Sequence, residues 1–78
     1  MINWRDHIVS DKTILLGKPT IKGTRLSVEF LIDRLANGWT ESQLLENYDR
    51  LTMDDLKAVF AYIKECMADG LFYEAAHN

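Results

Sequence analysis

Little in this sequence can hold a metal or a covalent cross-link. It has a single cysteine, Cys66, so no internal disulfide can form. A zinc site needs about four ligands, and Cys66, His7 and His77 are scattered along the chain. No metal and no cofactor are expected. Cys66 falls near the end of an apolar-periodic stretch, where a small, half-buried side chain is expected rather than a reactive thiol. No apolar run approaches about 18 residues, so no membrane span is expected. The first residues, MINWRDHIVSD, are too polar for a secretory signal. The cytoplasm is the expected compartment.

Catalytic machinery is equally sparse. Asp54 and Asp55 are adjacent, so on a helix they point apart and do not form a paired acid and base. They suit the positive end of a helix dipole. Neither histidine has a candidate nucleophile near it in sequence. Gly17-Lys18 and Gly23-Thr24 are fragments of phosphate-loop sequence that lack the full Gly-x-x-x-x-Gly-Lys-Ser/Thr spacing. No catalytic residue and no small-molecule substrate are expected. The chain reads as a binding protein and not as an enzyme.

What is present is a small globular composition, 47% hydrophobic and 27% charged. One domain is expected over 1–78: an extended arm with short strands over 1–26, a three-helix body over 27–69 and a tail over 70–78. Charge is divided between them. Residues 1–25 hold five basic and two acidic side chains, a net of +3, and residues 26–78 hold four basic and ten acidic, a net of −6. A basic arm on an acidic body is a pointer to a nucleic-acid or acidic partner surface.

The arm has no helical period. Ile8-Val9 is a β-branched pair, Asp11-Lys12 reads as a turn, and Ile14-Leu15-Leu16 is a short apolar run. Gly17-Lys18-Pro19 breaks any helix. Thr20-Ile21-Lys22 and Thr24-Arg25-Leu26 read as extended pieces about Gly23, which supplies a turn with positive φ. Strands this short must pack on the helices or pair with another chain.

The body is read from caps and spacing. Ser27 caps a helix over Val28–Asn37 whose Val28, Leu31, Ile32 and Leu35 form one apolar face, with Glu29, Asp33 and Arg34 on the other side. Gly38 stops it. Thr40 and Gln43 have capping-box spacing for a short second helix ending near Asn47, followed by Tyr48 packed on the core. Thr52 and Asp55 repeat the box for a third helix, along which Leu56, Val59, Phe60, Ile63 and Met67 recur, ending at Asp69-Gly70. Leu71 to Ala76 reads as one more helical turn that docks.

The expected fold is therefore mainly α: a three-helix, homeodomain-like helix-turn-helix core behind an N-terminal extended arm with short β-strands. A recognition helix normally starts with residues that welcome phosphate and base edges. This one starts with Met53, Asp54 and Asp55, followed by Lys57. If DNA is bound, the arm is the first place to look, and the nucleic-acid-binding candidates are Lys18, Lys22, Thr24, Arg25 and Lys57.

The run GKPTIKGTRLSVEFLIDRLANGWTESQLLENYDRLTMDDLKAVFAYI resembles the small prokaryotic proteins grouped as family 433 of the domains of unknown function. The likeness rests on GKP-x-IKGTR from Gly17 to Arg25, on LA-x-G from Leu35 to Gly38, and on Y-x-x-LT-x-x-D from Tyr48 to Asp55. It covers about residues 8 to 65. The resemblance implies a winged-helix or homeodomain-like DNA-binding domain, a dimeric autoregulator, and an antitoxin role beside a PIN-domain ribonuclease toxin. Such antitoxins commonly occupy the toxin with a C-terminal segment, which is short here. DNA, a PIN-domain toxin and a second copy of the chain are thus the expected partners. A non-catalytic interaction or dimerisation module is the alternative, since edge strands seek partners and two-fold dimers are the commonest assembly.

Overall fold

Three helices form the body of the chain in a computed structural model, which describes residues 2–70. They are α1 (Val28–Ala36), α2 (Glu41–Asn47) and α3 (Met53–Ala68). Two short strands, β1 (Ile8–Val9) and β2 (Thr20–Ile21), precede them. The mainly helical fold with short N-terminal strands is the one expected. The tail from Leu71 onward lies outside the described residues.

Each helix begins where its cap dictates. The Phe30 N–H donates to Ser27 Oγ at 2.9 Å. At α2 the box closes in both directions, with Gln43 N–H to Thr40 Oγ1 at 3.1 Å and Thr40 N–H to Gln43 Oε1 at 2.8 Å. At α3 the Asp55 N–H reaches Thr52 Oγ1 at 3.1 Å and the Thr52 N–H reaches Asp55 Oδ2 at 3.0 Å. Each cap satisfies donors that the first helical turn leaves without partners.

The N-terminal strands pack on the helices. β1 and β2 pair antiparallel, Ile8 opposite Ile21 and Val9 opposite Thr20. On its other side β2 meets the chain entering α1: the Ile21 N–H donates to the Leu26 carbonyl at 2.8 Å and Thr20 bridges Ser27. Ile8, Thr20 and Ile21 are buried. Thr24-Arg25, expected with Leu26 as an extended piece, is a bend instead, and Leu26 lies in neither strand. Gly23, at φ 79°, takes the third position of the Ile21–Thr24 turn, where positive φ is required. The Thr24 hydroxyl locks that turn, donating to the Ile21 carbonyl at 2.8 Å and accepting from the Leu26 N–H at 3.0 Å.

Two 3-10 turns, invisible to helical periodicity, complete the segment at Trp4–Asp6 and Leu15–Gly17. The second is unusual. Leu15, Leu16 and Gly17 all have positive φ, at 49°, 57° and 84°. For the two leucines this is a strained conformation.

Ile8, Ile21, Val28, Leu31, Leu44, Leu51, Leu56, Ala58 and Val59 form one core. Two expectations need correction. Phe60 and Met67 are 47% and 51% exposed, and Ala58 is buried in their place on α3. Arg34, expected to face water with Glu29 and Asp33, is half-buried. Its guanidinium lies 4.7 Å from the Phe30 ring centre and 5.3 Å from that of Trp39. Phe30 meets Tyr48 edge-on and Trp39 stacks on Tyr48, so an Arg-aromatic cluster closes the end of α1 over α2.

Candidate functional site

The five basic or hydroxylic residues singled out from sequence do not form one patch. Lys18 is ion-paired, its Nζ 2.9 Å from Glu29 Oε1 at the surface. Thr24 spends its hydroxyl on the turn described above. Lys22 and Arg25 are exposed around that turn, and Lys57 is exposed one turn into α3. The Lys22 backbone N–H is held by the His7 carbonyl at 2.8 Å.

Arg50 is the residue that sequence reasoning missed. It sits in the connection between α2 and α3, and its Nη1 donates to the Gly23 carbonyl at 3.1 Å. That bond places the connection beside the Lys22–Arg25 turn. Between them runs an open groove of about 670 Å³, walled by Thr24, Arg25, Leu26, Tyr48, Asp49 and Arg50 among others. Arg25 also walls a second concavity of about 480 Å³, shared with Leu15, Leu16 and Phe30. Leu16, 94% exposed, stands at its rim. The only signal for Arg50 in the sequence was its position in a helix-helix turn, where a cation has no obligatory partner.

The two aspartates at the start of α3 differ. Asp54 is exposed, whereas Asp55 is 8% exposed. Asp55 Oδ1 is 2.8 Å from His7 Nδ1, and its other oxygen accepts from Thr52 N–H. One carboxylate therefore caps the helix and anchors the N-terminal segment. Beyond His7, Trp4 packs edge-on against Tyr62 with ring centres 4.9 Å apart, and Arg5 reaches Glu65 at 3.0 Å. Burial first, then the hydrogen bond and charge of Cys66 beside it, push the Tyr62 phenol above its ordinary range. Cys66 itself is half-buried, as its spacing suggested. Among the described residues, no group of three His, Cys, Asp or Glu is placed to hold a metal ion, and no helix is long and apolar enough to cross a membrane.

The profile of a protein family described as "Protein of unknown function (DUF433)" matches residues 8–63. The chain belongs to this family. The match agrees with the span of about residues 8 to 65 expected from the sequence. A solved DUF433 member protein from Anabaena variabilis ATCC 29413 is similar in structure, with a TM-score of 0.76 and 27% sequence identity over 94% of this chain and 71% of that one. No significant match was found among curated proteins. Lys22, Arg25 and Arg50 all fall within the matched residues.

Proposed function

We propose that this DUF433 protein is a DNA-binding regulator of antitoxin type, acting without catalysis and as a homodimer. A short capped α2, a brief connection and a longer capped α3 support the reading of a helix-turn-helix pair. The observation that carries the reading is the Arg50–Gly23 hydrogen bond, which sets the turn of that pair against the exposed Lys22 and Arg25. Three cations on one corner suit a phosphate backbone. Arg50 joins the candidates because its guanidinium keeps donors beyond the one given to Gly23, whereas Lys18 is paired with Glu29 and Thr24 spends its hydroxyl on the turn. Lys57 faces out one helical turn beyond the α3 cap and stands as an outlying phosphate contact.

The test is an anisotropy titration against the DNA upstream of the protein's own gene, at two salt concentrations. Tight binding that weakens with salt is expected. Lys22→Ala, Arg25→Ala and Arg50→Ala should each lower the salt slope by about one. Unaltered slopes in all three sink the corner, and absence of binding at low salt sinks the reading.

A second reading, an interaction module that pairs with a PIN-domain toxin or with itself, is favoured by Leu16. A fully exposed leucine on a strained turn contributes nothing to the monomer's core. Light scattering after size exclusion, and co-purification with a neighbouring PIN-domain product, separate self-pairing from toxin binding. A monomer that retains no toxin removes this reading.

A further inference from the structure

The outward face of α3 is not built like a solvated face. Met53, Phe60 and Met67 are 42%, 47% and 51% exposed. They stand seven residues apart, so each is turned only about 20° from the one before it and the stripe drifts about 40° from end to end. Over fourteen residues this stripe is about 21 Å long. Lys57 and Lys64, both exposed, run along one side of it. Among the described residues neither lysine has an ion-pair partner; the ion pairs present are Arg5–Glu65 and Lys18–Glu29.

Three apolar anchors at heptad spacing, edged by same-sign charge, are the features by which a helix recognises another helix. We propose that this face of α3 is the docking site for an acidic amphipathic helix of a partner protein. Its apolar residues cover Met53, Phe60 and Met67, and its carboxylates meet Lys57 and Lys64. Charge decides against a second copy as the occupant. A two-fold antiparallel pairing centred on Phe60 sets Met53 against Met67, but it brings Lys57 of each copy beside Lys64 of the other. Like charges facing across a seam disfavour that pairing. A phosphate backbone would satisfy the lysines and leave Phe60 and the methionines unmatched. This docking face does not use Lys22, Arg25 or Arg50; it shares Lys57 with the proposed DNA interface, so a partner helix and DNA would compete for that lysine.

The test uses the full chain and two synthetic helical peptides of about 18 residues, each with leucines at heptad spacing. One carries glutamates along the edge of its apolar stripe, the other lysines. Binding is followed by anisotropy, and the contact surface by amide chemical-shift changes. The glutamate peptide should bind at least tenfold more tightly than the lysine peptide, with shifts confined to α3's outward residues. Phe60→Ala should weaken it about tenfold, while K57E/K64E should reverse the preference between peptides. All these positions are exposed, so the variants should fold, which circular dichroism checks. Equal binding of both peptides, no binding at millimolar peptide, or shifts centred elsewhere overturn the proposal. So does concentration-dependent dimerisation that Phe60→Ala abolishes, which would give the face to a second copy. Shifts on this face with DNA, but with neither peptide, would give it to nucleic acid.

Discussion

α3 is held from two directions by different chemistry. Toward the N-terminal turn the contacts are polar and aromatic: His7 to Asp55, Trp4 to Tyr62 and Arg5 to Glu65. Toward the other helices the buried side chains are aliphatic: Leu31, Leu44, Leu51, Leu56 and Val59. The aliphatic side removes apolar surface from water, which is non-directional and supplies most of the stability. The polar side adds less energy but admits few geometries, because each donor must meet its acceptor. Among the described residues nine buried apolar side chains form the core, and a domain of this size is only thinly stable. The polar ties then decide where the N-terminal segment lies, and the aliphatic core decides whether the chain folds.

The contrast can be broken at its strong side first. Leu56→Ala should cost about 2–5 kcal/mol, comparable with the stability of the whole domain, and urea denaturation should show a largely unfolded chain. On the polar side, Asp55→Ala removes the reciprocal arm of the α3 capping box, which leaves the Thr52 N–H without its acceptor, and strands His7 as well. A loss of about 2 kcal/mol is expected in the same assay, with the helices retained by circular dichroism. Thr40→Ala, which removes a cap without touching the N-terminal segment, should cost about 1 kcal/mol and serves as the reference for capping alone. The smallest effect belongs to Arg5→Ala. The pair is exposed at both ends, so less than about 1 kcal/mol is expected, and the difference from the unaltered protein should shrink in high salt. If Arg5→Ala proves as costly as Asp55→Ala, the distinction between an anchoring carboxylate and a surface ion pair fails.

The helical body was legible because its signals are local. Ser27, Thr40 and Thr52 act within four residues of themselves, and each cap forms as its spacing predicts. What faces inward along α3 was only half legible. Helical spacing grouped Phe60 and Met67 with Leu56 and Val59, but a sixteen-residue helix can carry a second apolar stripe, and spacing alone does not say which stripe the core takes. The N-terminal segment hid more. His7 and Asp55 are 48 residues apart in sequence, and no local pattern links them. Leu15-Leu16 has the composition of a buried run, yet it turns left-handed and presents Leu16 to water. At the candidate site, Lys18 and Thr24 matched a basic segment in composition, but their polar groups were already committed to Glu29 and to the turn. Arg50 was drawn into the site by a carbonyl 27 residues away.

His7 has a bearing on how the molecule opens. Its carbonyl receives the Lys22 N–H beside β2 while its ring holds the first turn of α3. A fluctuation that frees α3's first turn therefore loosens the strand pair in the same event, and the converse holds. Hydrogen exchange should report the amides of Ile21 and Lys22 opening together with those at the start of α3, as one cooperative unit, while the middle of α3 exchanges more slowly. Because that closure joins segments far apart in the chain, it is also the part of the structure that topology delays, after helices whose contacts are local.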